Sequence, residues 1–132
     1  MSGDKRIRML LSKSDMDAHE IGIRYTARIL RDNGFEAILT RYRIIDEVVK
    51  MALEEYVDII GLSFYGSGLM YDVPRLMNLL KEKGLNDIPV ITGGTISEEE
   101  RKMLLEIGVR EVFTPGRGAT QDIVKFIKNL IK

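Results

Sequence analysis

Short apolar runs and stretches of helical periodicity take turns along this chain from end to end, and that alternation constrains its fold more than any other feature. Residues 7–11 are apolar enough for a buried strand. Ile23, Ala27 and Leu30 then fall at i, i+4 and i+7, and Asn33-Gly34 closes that helix. A second strand is expected at 35–39, followed by a helical face of Ile45, Val48, Val49 and Ala52. Residues 57–62 (VDIIGL) read as the best buried strand of the chain. Asp72 offers an N-cap, with Pro74 near the first helical position, for a face of Val73, Leu76, Met77 and Leu80 that Gly84 stops. A fourth strand is expected at 88–92, ending in Gly93-Gly94. Ser97 with Glu100 forms a capping box for a helix that runs to Ile107 and stops at Gly108. The last pair is a strand at 109–113 and a helix with Ile123, Phe126, Ile127 and Leu130 on one face.

Strands alternating with helices in this way predict an α/β fold with a parallel sheet and helices on both faces. Right-handed crossovers leave few topologies, and the commonest for five strands is the flavodoxin-like, Rossmann-like order 2-1-3-4-5. At 132 residues the chain can bury roughly two-thirds of its unfolded surface, so residues 1–132 are expected to form a single domain. Composition then works by exclusion. Lys plus Arg and Asp plus Glu are 20 each, which leaves no cation excess for nucleic acid or for an anionic membrane surface. The absence of cysteine removes disulfides, thiolate catalysis, iron–sulfur clusters and cysteine zinc sites. No apolar run approaches the roughly 18 residues that span a bilayer, and the polar first eight residues lack a signal-peptide core, so a cytoplasmic location is expected. One histidine means that a metal must bind through it with carboxylates, or arrive in a cofactor carrying its own ligands.

In such sheets ligands bind beyond the carboxyl ends of the strands, so the loops there carry the chemistry. The first, residues 12–22, holds the histidine. The third, residues 63–71, combines Gly66 and Gly68 with Phe64, Tyr65, Leu69, Met70 and Tyr71. The fourth begins Thr92-Gly93-Gly94, and the fifth is Thr114-Pro115-Gly116-Arg117-Gly118. Glycine concentrates where a backbone approaches a ligand closely. A phosphoryl-accepting receiver domain would need an Asp ending strand 3 and a Lys ending strand 5, where this chain has Ser63 and Thr114. A flavodoxin phosphate loop is missing after strand 1, and so is a dinucleotide GxGxxG.

What the first loop does contain is Asp17-x-His19-x-x-Gly22. This resembles the D-x-H-x-x-G signature of the cobalamin-binding domains, and Lys13, six residues before the histidine, matches the methylmalonyl-CoA mutase branch. Given a lone histidine, Asp two before and Gly three after occur together in roughly half a per cent of cases on ordinary usage. Residues 27–36 (ARILRDNGFE), 57–63 (VDIIGLS), Thr92-Gly93-Gly94 and Phe113-Thr114-Pro115-Gly116 are similar to that family's blocks, in order, along nearly the whole chain.

The resemblance implies an adenosylcobalamin site in which His19 is the lower axial ligand of cobalt, bound base-off and His-on. Asp17 would hold the other imidazole nitrogen, and Lys13 would keep that carboxylate ionised. The displaced nucleotide tail would lie beside Gly22, Ser63, Gly93, Gly94, Phe113 and Thr114, so Gly93→Val or Gly94→Val is expected to hurt binding far more than folding. It also implies the role of a small subunit, inactive alone. Such a subunit presents the cofactor to a large TIM-barrel partner that binds the acyl-CoA for radical carbon-skeleton rearrangement. Phe64, Tyr65, Leu69, Met70 and Tyr71 could form an apolar apron facing corrin or barrel, while the methionines read as nearly all core filling. Without cofactor, the mostly polar stretch from Lys13 to about Arg24 is expected to be the least ordered part of the chain, and cofactor binding to order it. Departures from the branch pattern leave the substrate more open than the cofactor. Tyr65 stands where the family has Leu, Ile21 where the branch often has Arg, and Tyr65-Gly66-Ser67-Gly68 is closer to the small subunit of glutamate mutase. A glutamate-mutase-like small subunit, or a corrinoid carrier or sensor module outside the mutases, are the alternatives.

Overall fold

The alternation is realised element by element. A computed structural model describes residues 6–65, 68–114 and 120–131. Its order is β1 (Arg8–Ser14), α1 (Ile21–Asp32), β2 (Glu36–Tyr42), α2 (Asp46–Glu55), β3 (Ile59–Phe64), α3 (Leu69–Glu82), β4 (Val90–Gly94), α4 (Glu98–Glu106), β5 (Glu111–Phe113) and α5 (Thr120–Ile131). Every strand pair is parallel, and the sheet order is β2-β1-β3-β4-β5, the flavodoxin-like arrangement. Of the residues singled out above, Gly66, Ser67, Pro115, Gly116, Arg117 and Gly118 lie outside the described set. Among the described residues no helix is long and apolar enough to cross a membrane.

Successive side chains of a strand point to opposite faces, and both faces here are covered. Met9, Leu11, Ile59 and Ile91 pack with Ile23, Ala27 and Leu30 of α1 and with Ile123 and Ile127 of α5. Leu10, Ile60, Leu62, Val90 and Val112 lie on the other side, against Val48 and Val49 of α2, Leu76 and Leu80 of α3 and Leu104 of α4. Burial on both faces makes each strand a near-continuous apolar run, which is why the runs were legible.

Strand ends depart from the sequence reading in one direction, toward the carboxyl edge. β1 continues through Ser12, Lys13 and Ser14, β3 reaches Phe64, and β4 includes both Gly93 and Gly94. A ladder continues as long as its neighbours pair, whatever the side chains: Ser12 lies opposite Thr40 and Leu62, and Lys13 opposite Arg41 and Ser63. Apolar content therefore marks the middle of these strands but not their polar tips.

α3 begins one turn earlier than the cap signal suggests. Gly68 is its N-cap at φ 101°, and Leu69 is its first residue. Leu69, Val73, Leu76 and Leu80 are all buried, so the apolar stripe extends back past Asp72, and burial of Leu69 outweighs the capping preference of an aspartate. Asp72 instead accepts a 2.7 Å hydrogen bond from the Tyr42 hydroxyl, and Pro74 sits inside the helix. Burial first, then this bond to Asp72, raises the Tyr42 phenol above its ordinary range. The capping box of α4 forms as read: Glu100 N–H donates to Ser97 Oγ at 3.1 Å, and Ser97 N–H to Glu100 Oε1 at 3.0 Å.

Candidate functional site

Strand register assembles a polar row at the carboxyl edge. Lys13 lies opposite Arg41 on one side and Ser63 on the other, Ser63 opposite Gly93, and Gly93 opposite Phe113. One residue from each of the five strands thus stands abreast, at positions that share the α1/α5 side with Leu11 and Ile91. Four of them, Lys13, Ser63, Gly93 and Phe113, were candidates from sequence. The two small ones occupy the middle, between the Lys13 stem and Phe113, whose ring meets Phe126 of α5 edge-on at 5.8 Å. A Cβ on Gly93 would stand 3.2 Å from the Phe113 carbonyl oxygen. Thr114 follows β5 directly and is half-buried.

Gly94 does not belong to this row. Its φ is +119°, and a Cβ there would lie 1.9 Å from the Phe64 carbonyl oxygen, which also accepts the Thr95 N–H at 2.9 Å. The backbone itself requires this glycine, so Gly94→Val, expected to hurt binding far more than folding, must disrupt the fold itself.

The first loop is organised around Asp17. Its Oδ1 accepts the His19 backbone N–H at 2.9 Å and contacts the imidazole Nδ1 at 2.8 Å, while Oδ2 accepts the Tyr65 N–H at 3.1 Å. Burial pushes the Asp17 carboxyl up, but the His19 N–H and ring, the Tyr65 N–H and the nearby Lys13 charge outweigh it and leave the group below its ordinary value. An ionised carboxylate is acceptor-only, so Nδ1 carries the proton and Nε2 holds the lone pair whenever the ring is neutral. Nε2 makes no hydrogen bond to any described residue, and the His19 side chain is 66% exposed.

Lys13 acts somewhat differently from the sequence reading. It is only 1% exposed, a strand residue rather than a loop residue. Its Nζ donates to the main-chain carbonyls of Ser14 (3.1 Å) and Asp17. Its charge favours the Asp17 carboxylate, yet its direct bonds hold the loop backbone. Asp17 N–H returns to Ser14 O at 3.0 Å, and Asp15 N–H to Tyr42 O at 2.8 Å. Glu20 pairs with Arg24 and with Arg41. Residues 13–24 thus make contacts of their own through Lys13, Asp15, Asp17 and Glu20.

The apron of large side chains divides. Phe64 and Leu69 are core residues, Met70 and Tyr71 are exposed, and Tyr65 stacks on the His19 imidazole with centroids 5.3 Å apart and planes 24° from parallel. The methionines, expected to be nearly all core filling, are divided: Met16, Met70 and Met103 are exposed. Met16, at 91%, and Ile21, at 88%, flank His19 in sequence. The Tyr65 stack and the Arg41 and Glu20 contacts were missed. An aromatic two residues after Ser63 was the available signal for the first, whereas the others depend on register and have no local signature.

Chemically, this is a single imidazole anchored on a carboxylate and presenting one nitrogen outward. Among the described residues no group of three or more His, Asp or Glu side chains is placed to hold a metal ion. A metal bound at Nε2 would take one ligand from this chain and bring the others with it.

Comparison with known proteins points the same way. The family model described as B12 binding domain matches residues 7–124. The chain is 38% identical over 130 residues to the pivalyl-CoA mutase small subunit of Xanthobacter autotrophicus, covering 98% of this chain and 86% of that one. It is 36% identical over 129 residues to the 2-hydroxyisobutanoyl-CoA mutase small subunit of Aquincola tertiaricarbonis, with 95% and 92% covered. Methylmalonyl-CoA mutase of Cereibacter sphaeroides is 33% identical over 129 residues, which is 97% of this chain but 18% of that protein. Among solved structures, a cobalamin-binding protein from Desulfitobacterium hafniense superposes with a TM-score of 0.79 at 23% identity, over 96% of this chain and 59% of its own, a likeness of fold.

Proposed function

Because the chain belongs to the B12-binding domain family, we propose that it is the cobalamin-binding small subunit of an adenosylcobalamin-dependent acyl-CoA mutase. It is a subunit of an isomerase and is inactive alone. The relatives that match it over most of their own length are named as small subunits of acyl-CoA mutases, which supports the substrate class. The observation that carries the cofactor reading is the Asp17–His19 pair: a proton held at Nδ1 by a carboxylate 2.8 Å away leaves Nε2 as an outward lone pair. A carboxylate bonded to the other N–H of a metal-bound imidazole fixes its tautomer and raises its basicity.

The residues fit the group. One imidazole with no companion ligands suits cobalt that arrives inside a corrin, and His19 would bind its lower face with the cofactor's own base displaced. The displaced nucleotide would run over the α1/α5 side of the sheet, where Ser63 and Gly93 lie low between Lys13 and Phe113, with Gly22 and Thr114 nearby. Met16 and Ile21, exposed beside His19, would be covered by the corrin. When bound, adenosylcobalamin supplies a carbon–cobalt bond whose homolysis starts radical rearrangement; the protein contributes binding, orientation and tuning. Asp17 holds the Nδ1 proton, and Lys13 clamps the loop that carries both residues. The acyl-CoA would be bound by a large TIM-barrel partner that closes over the upper face.

The test is the electron paramagnetic resonance of cob(II)alamin bound to protein grown with nitrogen-15 histidine. A histidine ligand converts the nitrogen triplet of unlabelled protein into a doublet. A triplet that survives labelling would mean the cofactor keeps its own base, and the His-on reading would be wrong.

A further inference from the structure

Tyr65 touches the site at three points that the family signature does not describe. Its main-chain N–H donates to Asp17 Oδ2 at 3.1 Å. Its ring lies on the His19 imidazole at 5.3 Å and 24°. Its hydroxyl fills the space where a Cβ on Gly22 would be, 2.6 Å from that position, with Cζ and Cε2 at 3.4 and 3.6 Å. We propose that Tyr65 is the positioning residue for His19, its hydroxyl occupying the room that Gly22 leaves open. The part that concerns cobalt rests on His19 being the ligand; the part that concerns the imidazole does not.

A hydrogen bond at Nδ1 fixes one atom of the ring and leaves rotation about that bond soft, since χ2 of histidine has broad wells. At 66% side-chain exposure little else restrains the imidazole. A ring stacked on its face removes that rotation and sets the direction of Nε2. Carboxylate, imidazole and Tyr65 close a triangle, so a shift of Tyr65 moves both the ligand and the carboxylate that orients it. Gly22 enters by sterics. Gly22→Ala puts a methyl group 2.6 Å from the hydroxyl, well inside contact, and the Tyr65 ring stacked on His19 is what stands in its way. Tyr65→Phe deletes the hydroxyl and leaves 3.4 Å to the ring, an ordinary contact, so it makes Gly22→Ala harmless to the stack.

The experiment compares wild type, Tyr65→Phe, Tyr65→Leu, Gly22→Ala and the Gly22→Ala/Tyr65→Phe double variant, first without cofactor. The chain has one histidine, so its ring protons are unique in a proton–carbon spectrum. Stacking shifts them upfield in wild type and Tyr65→Phe; the shift disappears in Tyr65→Leu and Gly22→Ala and returns in the double variant. Cob(II)alamin titration of the same proteins gives affinities about three- to tenfold weaker for Tyr65→Leu and Gly22→Ala, the size of an aromatic stack, and recovery in the double variant. Equal His19 shifts in wild type and Tyr65→Leu overturn the positioning role. A binding loss in Gly22→Ala that Tyr65→Phe does not rescue, with His19 shifts normal, overturns the steric link from Gly22 through Tyr65 to His19 and reserves that space for the cofactor. Absence of histidine coupling in loaded wild type would sink the ligand assignment instead, and the cofactor-free spectra would still decide the role of Tyr65.

Discussion

Gly94→Ala should cost this protein about 3–6 kcal/mol of stability, though it adds only a methyl group. Positive φ costs an L residue about 1–2 kcal/mol, and Gly94 sits at +119°. The added Cβ would lie 1.9 Å from the Phe64 carbonyl oxygen and 2.8 Å from its carbon, so β3 and β4 must separate locally. Overpacking of that kind adds about 1–3 kcal/mol, and separation also weakens the 2.9 Å bond from Thr95 N–H to the same oxygen, worth about 1 kcal/mol. Gly93→Ala is the control, because its Cβ would meet the Phe113 carbonyl oxygen at 3.2 Å with no positive φ to maintain. Urea denaturation followed by far-ultraviolet circular dichroism measures both. Against a total of about 5–15 kcal/mol for a domain, Gly94→Ala should move the midpoint far to the left and Gly93→Ala only slightly. Gly94→Ala within about 1 kcal/mol of wild type would refute the close approach of β3 and β4. With the expected loss, cofactor affinity of Gly94 variants says nothing about the site, whereas Gly93 variants remain informative.

His19→Ala should cost only about 1–2 kcal/mol, the size of its stack on Tyr65 and its bond to Asp17, while abolishing the histidine coupling of bound cob(II)alamin; an unfolded variant would show that the loop depends on more of the ring than these two contacts. Lys13→Met keeps the buried volume but removes the donor to Ser14 O and Asp17 O. It should lower stability by about 1–3 kcal/mol and speed amide exchange across residues 15–19, and unchanged exchange there would mean the clamp is not what holds the loop. The Arg75 hydrogen bond, ahead of its charge, holds the Asp46 carboxyl below its ordinary value, so its contribution is present above the unfolded value of about 3.9 and lost as pH falls through the lower folded one. The stability difference between wild type and Asp46→Asn should accordingly shrink below about pH 4, and a difference that grows with acid would contradict the pairing.

Much of this protein is legible locally, because some interactions close within a few residues. The capping box joins Ser97 to Glu100, the apolar stripes of α1 and α2 recur within single turns, and Asp17 reaches His19 across two residues whatever the rest of the chain does. Strand order also follows, since the handedness of crossovers leaves little choice. The site as a surface is another matter. Lys13, Ser63, Gly93 and Phe113 are far apart in the chain, and they stand abreast only because register between parallel strands aligns them. Pairing also carried the strands past their apolar runs and made Lys13 a buried residue. The burial of Leu69 placed the start of α3 ahead of Asp72, and the approach of β3 to β4 gave Gly94 its reason. Tyr65 is on His19 and over Gly22 because β3 ends beside the first loop. Periodicity and motif spacing report interactions within one turn or one pleat; contacts between remote segments are set by packing and register, which no short window of sequence contains.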